Sequence, residues 1–103
     1  MPWVRMSLMQ PRRDRAAEVQ QLLTELADYF AEQPGFIEGY TLQAKDGLVG
    51  RVTVWDSESA ADHSAQTTHV MAIRSRLNPD VKEGSHQEHA FEGERFVPMT
   101  DKS

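Results

Sequence analysis

A flat indole at Trp55 and an imidazole at His63, eight positions later, are the side chains of this sequence best suited to chemistry. They fall in the run from Arg51 to His63, which reads as a strand ending on the tryptophan, a turn at Asp56 and Ser57, and the start of a helix. Across such a turn both side chains are expected to look into the space between a sheet and its covering helix. An indole offers a stacking surface to an aromatic molecule. Imidazole titrates near neutral pH, which makes His63 the candidate general base. The pair predicts a small pocket for an aromatic substrate. The competing readings are a tryptophan that only anchors the core and a histidine that caps a helix or faces solvent.

Three more residues join the candidate substrate-binding set. Arg51 shares a strand face with Thr53 and Trp55, because strand side chains alternate. A guanidinium on a covered face needs a partner, either Glu38 or an anionic ligand. Tyr40 brings a phenol that can hold a substrate oxygen or donate to a backbone carbonyl. His69 lies six residues beyond His63, about 240° around a continuous helix. The two histidines then share no face and no metal, and His69 is read as a secondary substrate contact against a dimer or surface role. His86 and His89, three apart on an expected strand, point to opposite faces and form no metal pair either.

Composition removes whole classes of function. No cysteine is present, which excludes disulfides, thiolate metal sites and cysteine nucleophiles. The sequence has no glycine-rich phosphate loop, no dinucleotide fingerprint and no evident serine-histidine-aspartate set. An enzyme built on it would rely on one histidine and a pocket, with no cofactor and no metal. The net charge of -5 argues against nucleic acid, since Arg5, Arg12, Arg13 and Arg15 are soon answered by Asp14, Glu18 and Glu25. No apolar run approaches the roughly 18 residues of a membrane span. Arg5 interrupts the only apolar stretch of the first ten residues, so no signal peptide is expected and a cytoplasmic location is.

These residues must be held by a few elements. Trp3 to Met9 alternates as a strand, with Val4, Met6 and Leu8 on one side; Pro11 stops it, and Asp14 is expected to cap the next helix. That helix, Ala16 to Glu32, carries one apolar stripe of Val19, Leu22, Leu23, Leu26, Ala27 and Phe30. Pro34 and Gly35 end it. Strands at Phe36–Ala44 and Leu48–Trp55 are joined at Asp46-Gly47, a type I′ hairpin signal. That turn would pair Leu42 with Arg51, Tyr40 with Thr53 and Glu38 with Trp55, placing Tyr40, Arg51, Thr53 and Trp55 on one face. A second helix, Glu58 to Leu77, is expected to be capped by Asp56 or Ser57 and stopped by Asn78-Pro79. A loop follows, then a last strand from His86 to Phe96. Residues 1–96 make one domain and 97–103 a tail.

The order β-α-β-β-α-β is the α+β, ferredoxin-like arrangement. Right-handed crossovers place both helices on one face of a four-stranded antiparallel sheet. The other face then shows large apolar groups to water, which is unusual in a monomer. A homodimer through that open sheet face is predicted.

With this order in place, the chain resembles the antibiotic biosynthesis monooxygenase domain family of the dimeric α/β barrel superfamily. The likeness rests on Pro34-Gly35-Phe36, on Tyr40 to Leu42, on Thr53 to Ala60 with Trp55 inside it, and on His63 and His69. It spans about residues 3 to 92. Many members carry two histidines in that second helix, and many a carboxylate where this chain has Thr53. The resemblance implies a dimeric α/β barrel and a monooxygenase needing neither metal nor flavin. In that chemistry a phenol or quinol loses a proton and its anion reduces dioxygen directly. The haem-degrading branch fits less well: its asparagine, tryptophan and histidine would fall near Leu8, Ser64 and Arg74. Two alternatives remain, a non-catalytic dimeric module for small-molecule binding or stress, and an isomerase or lyase using the same pocket. Thr53 favours the module, since it leaves His63 without an orienting acid.

Overall fold

The computed structural model describes residues 1–96. The expected tail, 97–103, lies outside them. Strand β1 (Trp3–Met9) leads to helix α1 (Ala16–Ala31), the hairpin β2 (Phe36–Gln43) and β3 (Val49–Trp55), helices α2 (Glu58–Ala65) and α3 (Thr68–Leu77), a 3₁₀ turn at Asn78–Asp80, and β4 (Gln87–Glu92). The strands form one antiparallel sheet in the order β2-β3-β1-β4. This is the ferredoxin-like βαββαβ fold, as expected. Its core lies between the sheet and the helices. Val19, Leu22, Leu23, Leu26 and Phe30 of α1 pack there with Met9, Val49 and Trp55 of the strands and with Val70, Ile73 and Leu77 of α3.

The long second helix expected from the sequence is two. The chain is extended at Thr67 (φ -72°, ψ 153°), whose hydroxyl accepts from the Val70 N–H and donates to the Ser64 carbonyl. Threonine in a polar run gains more from these local bonds than from a place inside a helix. Thr67→Ala is expected to cost about 0.5–2 kcal/mol, the usual value of an N-cap, read as a lower urea midpoint. Ser57 caps α2 in the same way, its hydroxyl accepting from Ala60 N–H. Asp14 does not cap α1. The N-cap position there is Arg15, with no side-chain cap bond, and its guanidinium pairs with Asp80 at 3.0 Å instead.

The hairpin register differs by one residue from the expected one. Ala44 N–H donates to Leu48 O (2.7 Å) and Gly47 N–H to Ala44 O (3.1 Å), so Lys45 to Gly47 form a three-residue loop. Gly47 takes φ +95°, the left-handed conformation such loops place at their last position. The pairs are therefore Thr41 with Arg51, Tyr40 with Val52 and Gly39 with Thr53. A one-residue slip sends every side chain of a strand to the other face. Glu38, Tyr40 and Leu42 thus lie on the open face with Val52 and Val54. An irregularity between Phe36 and Glu38 returns Phe36 to the covered face, opposite Trp55.

The last strand is shorter than the expected 86–96. Its pairing ends where Glu92 meets Trp3, with one further bond from the Gly93 N–H to the carbonyl of Pro2, a residue that has no N–H to continue the ladder. The open face carries Val4, Met6, Leu8, Val52 and Val54, with Phe91 and Tyr40 about half exposed at its edges.

Candidate functional site

Alternation puts an unusual set on the covered face. The register pairs Trp3 with Trp55, Arg5 with Thr53, Ser7 with Arg51 and Met9 with Val49. Two apolar rows thus flank two polar ones beneath the helices. A Cβ at Gly50 would overlap the Ser7 carbonyl oxygen, so only glycine lets β1 and β3 approach this closely beside Arg51.

Arg51 is the residue that ordinary packing does not explain. It is 6% exposed, and its guanidinium sits 5.0 Å from the centroid of the Phe30 ring, a cation–π distance. Its Nε is buried with no hydrogen-bond partner among the described residues. The expected partner Glu38 is on the other face. Glu88 is the acid whose charge reaches Arg51, but its oxygens are taken by the Ser7 hydroxyl and by Arg74 at 3.4 Å. Asp62 is likewise paired with Arg5, at 3.4 Å. Burial lowers the Arg51 pKa to about 10; Glu88 opposes this, while Arg74 and Arg5 add to it. The sign follows. The desolvation cost of holding this cation is present at all pH values below about 10, and would be relieved only as the pH rose from there toward the ordinary guanidinium range. At neutral pH Arg51 works against folding.

Two spaces meet at this residue. A cleft of about 260 Å³ opens between α1 and the β2–β3 hairpin, walled by Ala27, Ala31, Phe36 and Gly39 and floored by Arg51 and Thr53. A void of about 10 Å³ lies where the same Arg51 and Thr53 meet Arg5, Phe30, Trp55 and Arg74. The Thr53 hydroxyl accepts from Trp55 Nε1–H at 2.9 Å, which leaves its own proton to donate.

The other candidates are placed apart. Trp55 is buried, edge-on to Phe30 (5.8 Å) and Phe36 (5.4 Å), and borders the small void, not the cleft. His63 is exposed on the outer side of α2, in shallow hollows with Glu58, Ser59, Asp62 and Gln66. The shared pocket expected for Trp55 and His63 is not formed. Helix phase is the cause: α2 turns Ala61 and Ser64 inward, and a residue between them in that turn faces out. His69 is also exposed, stacked on Tyr29 of α1 at 4.4 Å, and lines neither space. Tyr40 borders the cleft from the edge strand, but its phenol lies on the open side and donates to Glu38 Oε2 at 2.8 Å. The Glu38 carboxylate beside it pushes the Tyr40 phenol up from its ordinary pKa.

Sequence reasoning missed Arg5, Ser7, Phe30 and Phe36 as neighbours of Arg51. The signal was present in part: the first strand already sets Arg5 and Ser7 on the same side as Trp3 and Met9. Among the described residues no group of three or more histidine, aspartate or glutamate side chains could hold a metal ion. No helix among them is long and apolar enough to cross a membrane.

The model of the antibiotic biosynthesis monooxygenase family matches residues 3–76. No curated protein matches the chain. Among solved structures, the chain is similar to SnoaB, a cofactor-independent oxygenase from Streptomyces nogalater, at 17% identity over 94% of this chain and 97% of that one, with a TM-score of 0.81. It is similar to Rv0793 from Mycobacterium tuberculosis at 14% identity, covering 95% of this chain and 100% of the other, with a TM-score of 0.84. A conserved protein from Methanosarcina mazei Go1 shares 14% identity over 91% of this chain and 94% of its own, at a TM-score of 0.82. At such identities the likeness is one of fold.

Proposed function

The chain belongs to the antibiotic biosynthesis monooxygenase family, and on that premise we propose that it is a cofactor-independent oxygenase of a small phenolic or quinol-like aromatic. The observation that carries this reading is the cleft under α1. Its walls are mainly apolar, with Asp28, Tyr40 and Thr41 also in the lining, Arg51 and Thr53 form a polar floor, and its volume of about 260 Å³ falls below the roughly 300–1,000 Å³ of sites for drug-sized ligands. That suits a small ring system with one oxygen turned to the floor. SnoaB, which shares the fold, is itself a cofactor-independent oxygenase.

The proposed reaction balances without a further reductant. A phenol gives up its proton, and its anion passes electrons to dioxygen. One oxygen atom bonds to ring carbon, the other leaves as water, and the phenol becomes a quinone. Asp28 is the carboxylate among the residues lining the cleft, and it gives the departing proton a route to solvent. His63 lies outside the cleft, so it is not the base in this scheme. His63→Ala is expected to lose far less than the about 10²–10⁴-fold that a general base supplies.

The test is oxygen uptake by purified protein on a panel of naphthols and hydroquinones, with chelator present and no flavin, under air and under argon. Uptake matched to product formation supports the oxygenase. Turnover that continues under argon supports the isomerase or lyase. The outward position of His63 favours the second reading, a binding module, and binding without any turnover would establish it.

The protein is further proposed to act as a homodimer through the open sheet face. Val4, Met6, Leu8, Val52 and Val54 form a continuous apolar surface there, which a second copy would cover.

A further inference from the structure

The cleft's chemistry narrows its occupant, if the cleft is the substrate pocket as just proposed. A buried cation is tolerated when a counter-charge meets it, and stripping one from water without a partner costs several kcal/mol. Arg51 makes no ion-pair contact among the described residues: its Nε is unpartnered and its neighbours Arg5 and Arg74 are also cationic. The two acids nearby do not close the account. Asp62 and Glu88 are engaged by Arg5 and Arg74, so three guanidiniums face two carboxylates. Beside Arg51, two positions along the same face, the Thr53 hydroxyl accepts from Trp55 Nε1–H and donates to no side chain among the described residues. The remaining carboxylate of the cleft, Asp28, is exposed on α1. The floor is thus a donor pair with no side-chain acceptor among the described residues, beneath mainly apolar walls.

We propose that the substrate carries an aromatic carboxylate, whose charged oxygens are held by Arg51 and Thr53. The guanidinium fork suits a planar carboxylate, which it can meet through two parallel bonds. Lowering of the Arg51 pKa by burial agrees with a cation awaiting its counter-ion.

The test uses 2-naphthoate, its methyl ester and 2-naphthol as probes, titrated calorimetrically into the full chain. Wild type is expected to bind 2-naphthoate at least about 30-fold more tightly than the neutral ester, as for a buried charged contact. 2-Naphthol, which lacks the carboxylate, is expected to bind no more tightly than the ester. Arg51→Met should abolish the preference for anion over ester while its melting temperature stays level or rises, because it removes an unpaired buried charge. Arg51→Lys should keep part of the preference. Equal affinity for naphthoate and ester in wild type would overturn the proposal, as would a preference unchanged in Arg51→Met, or no binding of any probe at millimolar concentration. The oxygenase reading fails separately: anion preference with no oxygen uptake retires that reading alone, and oxygen uptake without anion preference retires this one.

Discussion

Trp55→Ala is expected to remove about 3–5 kcal/mol of folding stability, the range for deleting a large buried aromatic. Trp55 is 1% exposed and stands at the centre of an aromatic group, edge-on to Phe30 and Phe36. It also pairs across the sheet with Trp3 and donates its Nε1 proton to Thr53. Alanine would leave a cavity whose lining comes from β2, β3 and α1, elements that cannot collapse together without moving the sheet. For a domain whose whole stability is of the order of 5–15 kcal/mol, such a loss approaches the threshold of folding. Trp55→Phe keeps the ring contacts and gives up the indole hydrogen bond, so about 1–2 kcal/mol is expected. Urea denaturation at one fixed protein concentration measures both, since association would otherwise shift the midpoint. A loss under about 1 kcal/mol for the alanine variant would show that the indole is not part of the core.

Val52→Arg is expected to turn a dimer into a folded monomer. Val52 lies on the open face in β3, an inner strand, between Met6 of β1 and Tyr40 of β2. If two copies pack their open faces together, a two-fold axis brings the same patch of each to the other. An arginine there is buried twice over and meets its own copy. Each ion costs several kcal/mol to desolvate, which is more than a hundredfold in the dissociation constant. The wild type should sediment as a dimer at micromolar concentration, burying at least about 1,200 Å² in total. The variant should sediment as a monomer with its helical signal intact. A wild type that is monomeric at that concentration would refute the interface.

These two residues also mark how far sequence and structure each reach. Trp3 to Met9 was legible as a strand to the residue, because alternation over seven positions has no helical counterpart. The apolar stripe of α1 and the order of elements were legible for the same reason: each depends on spacing within one segment. So was the division of the first strand into a side of Val4, Met6 and Leu8 and a mixed side, though not which of the two the helices cover. The family resemblance, built on short local runs, agreed with the family model that matches residues 3–76.

What failed were the relations between segments. Asp46-Gly47 suggested a two-residue turn, and both that turn and the observed three-residue loop place glycine at the positive-φ position. Local propensity hardly separates them. The choice is made elsewhere, where β3 must present Val49, Arg51, Thr53 and Trp55 to the helices while it pairs with β1. Tyr40 went to the other face as a result, and with it one wall of the imagined pocket. His63 was lost to helix phase, since Ala61 and Ser64 are small enough to lie against the sheet and their burial turns the imidazole outward. Arg51 could be placed on a covered face by counting, and its need for a partner followed. Only the folded structure shows that Glu38 is on the far side, that Glu88 and Asp62 are engaged by other arginines, and that Arg51 lines a cleft. Periodicity reports which face a residue shares with its own strand; which charges meet across the core is decided by register and packing between distant segments.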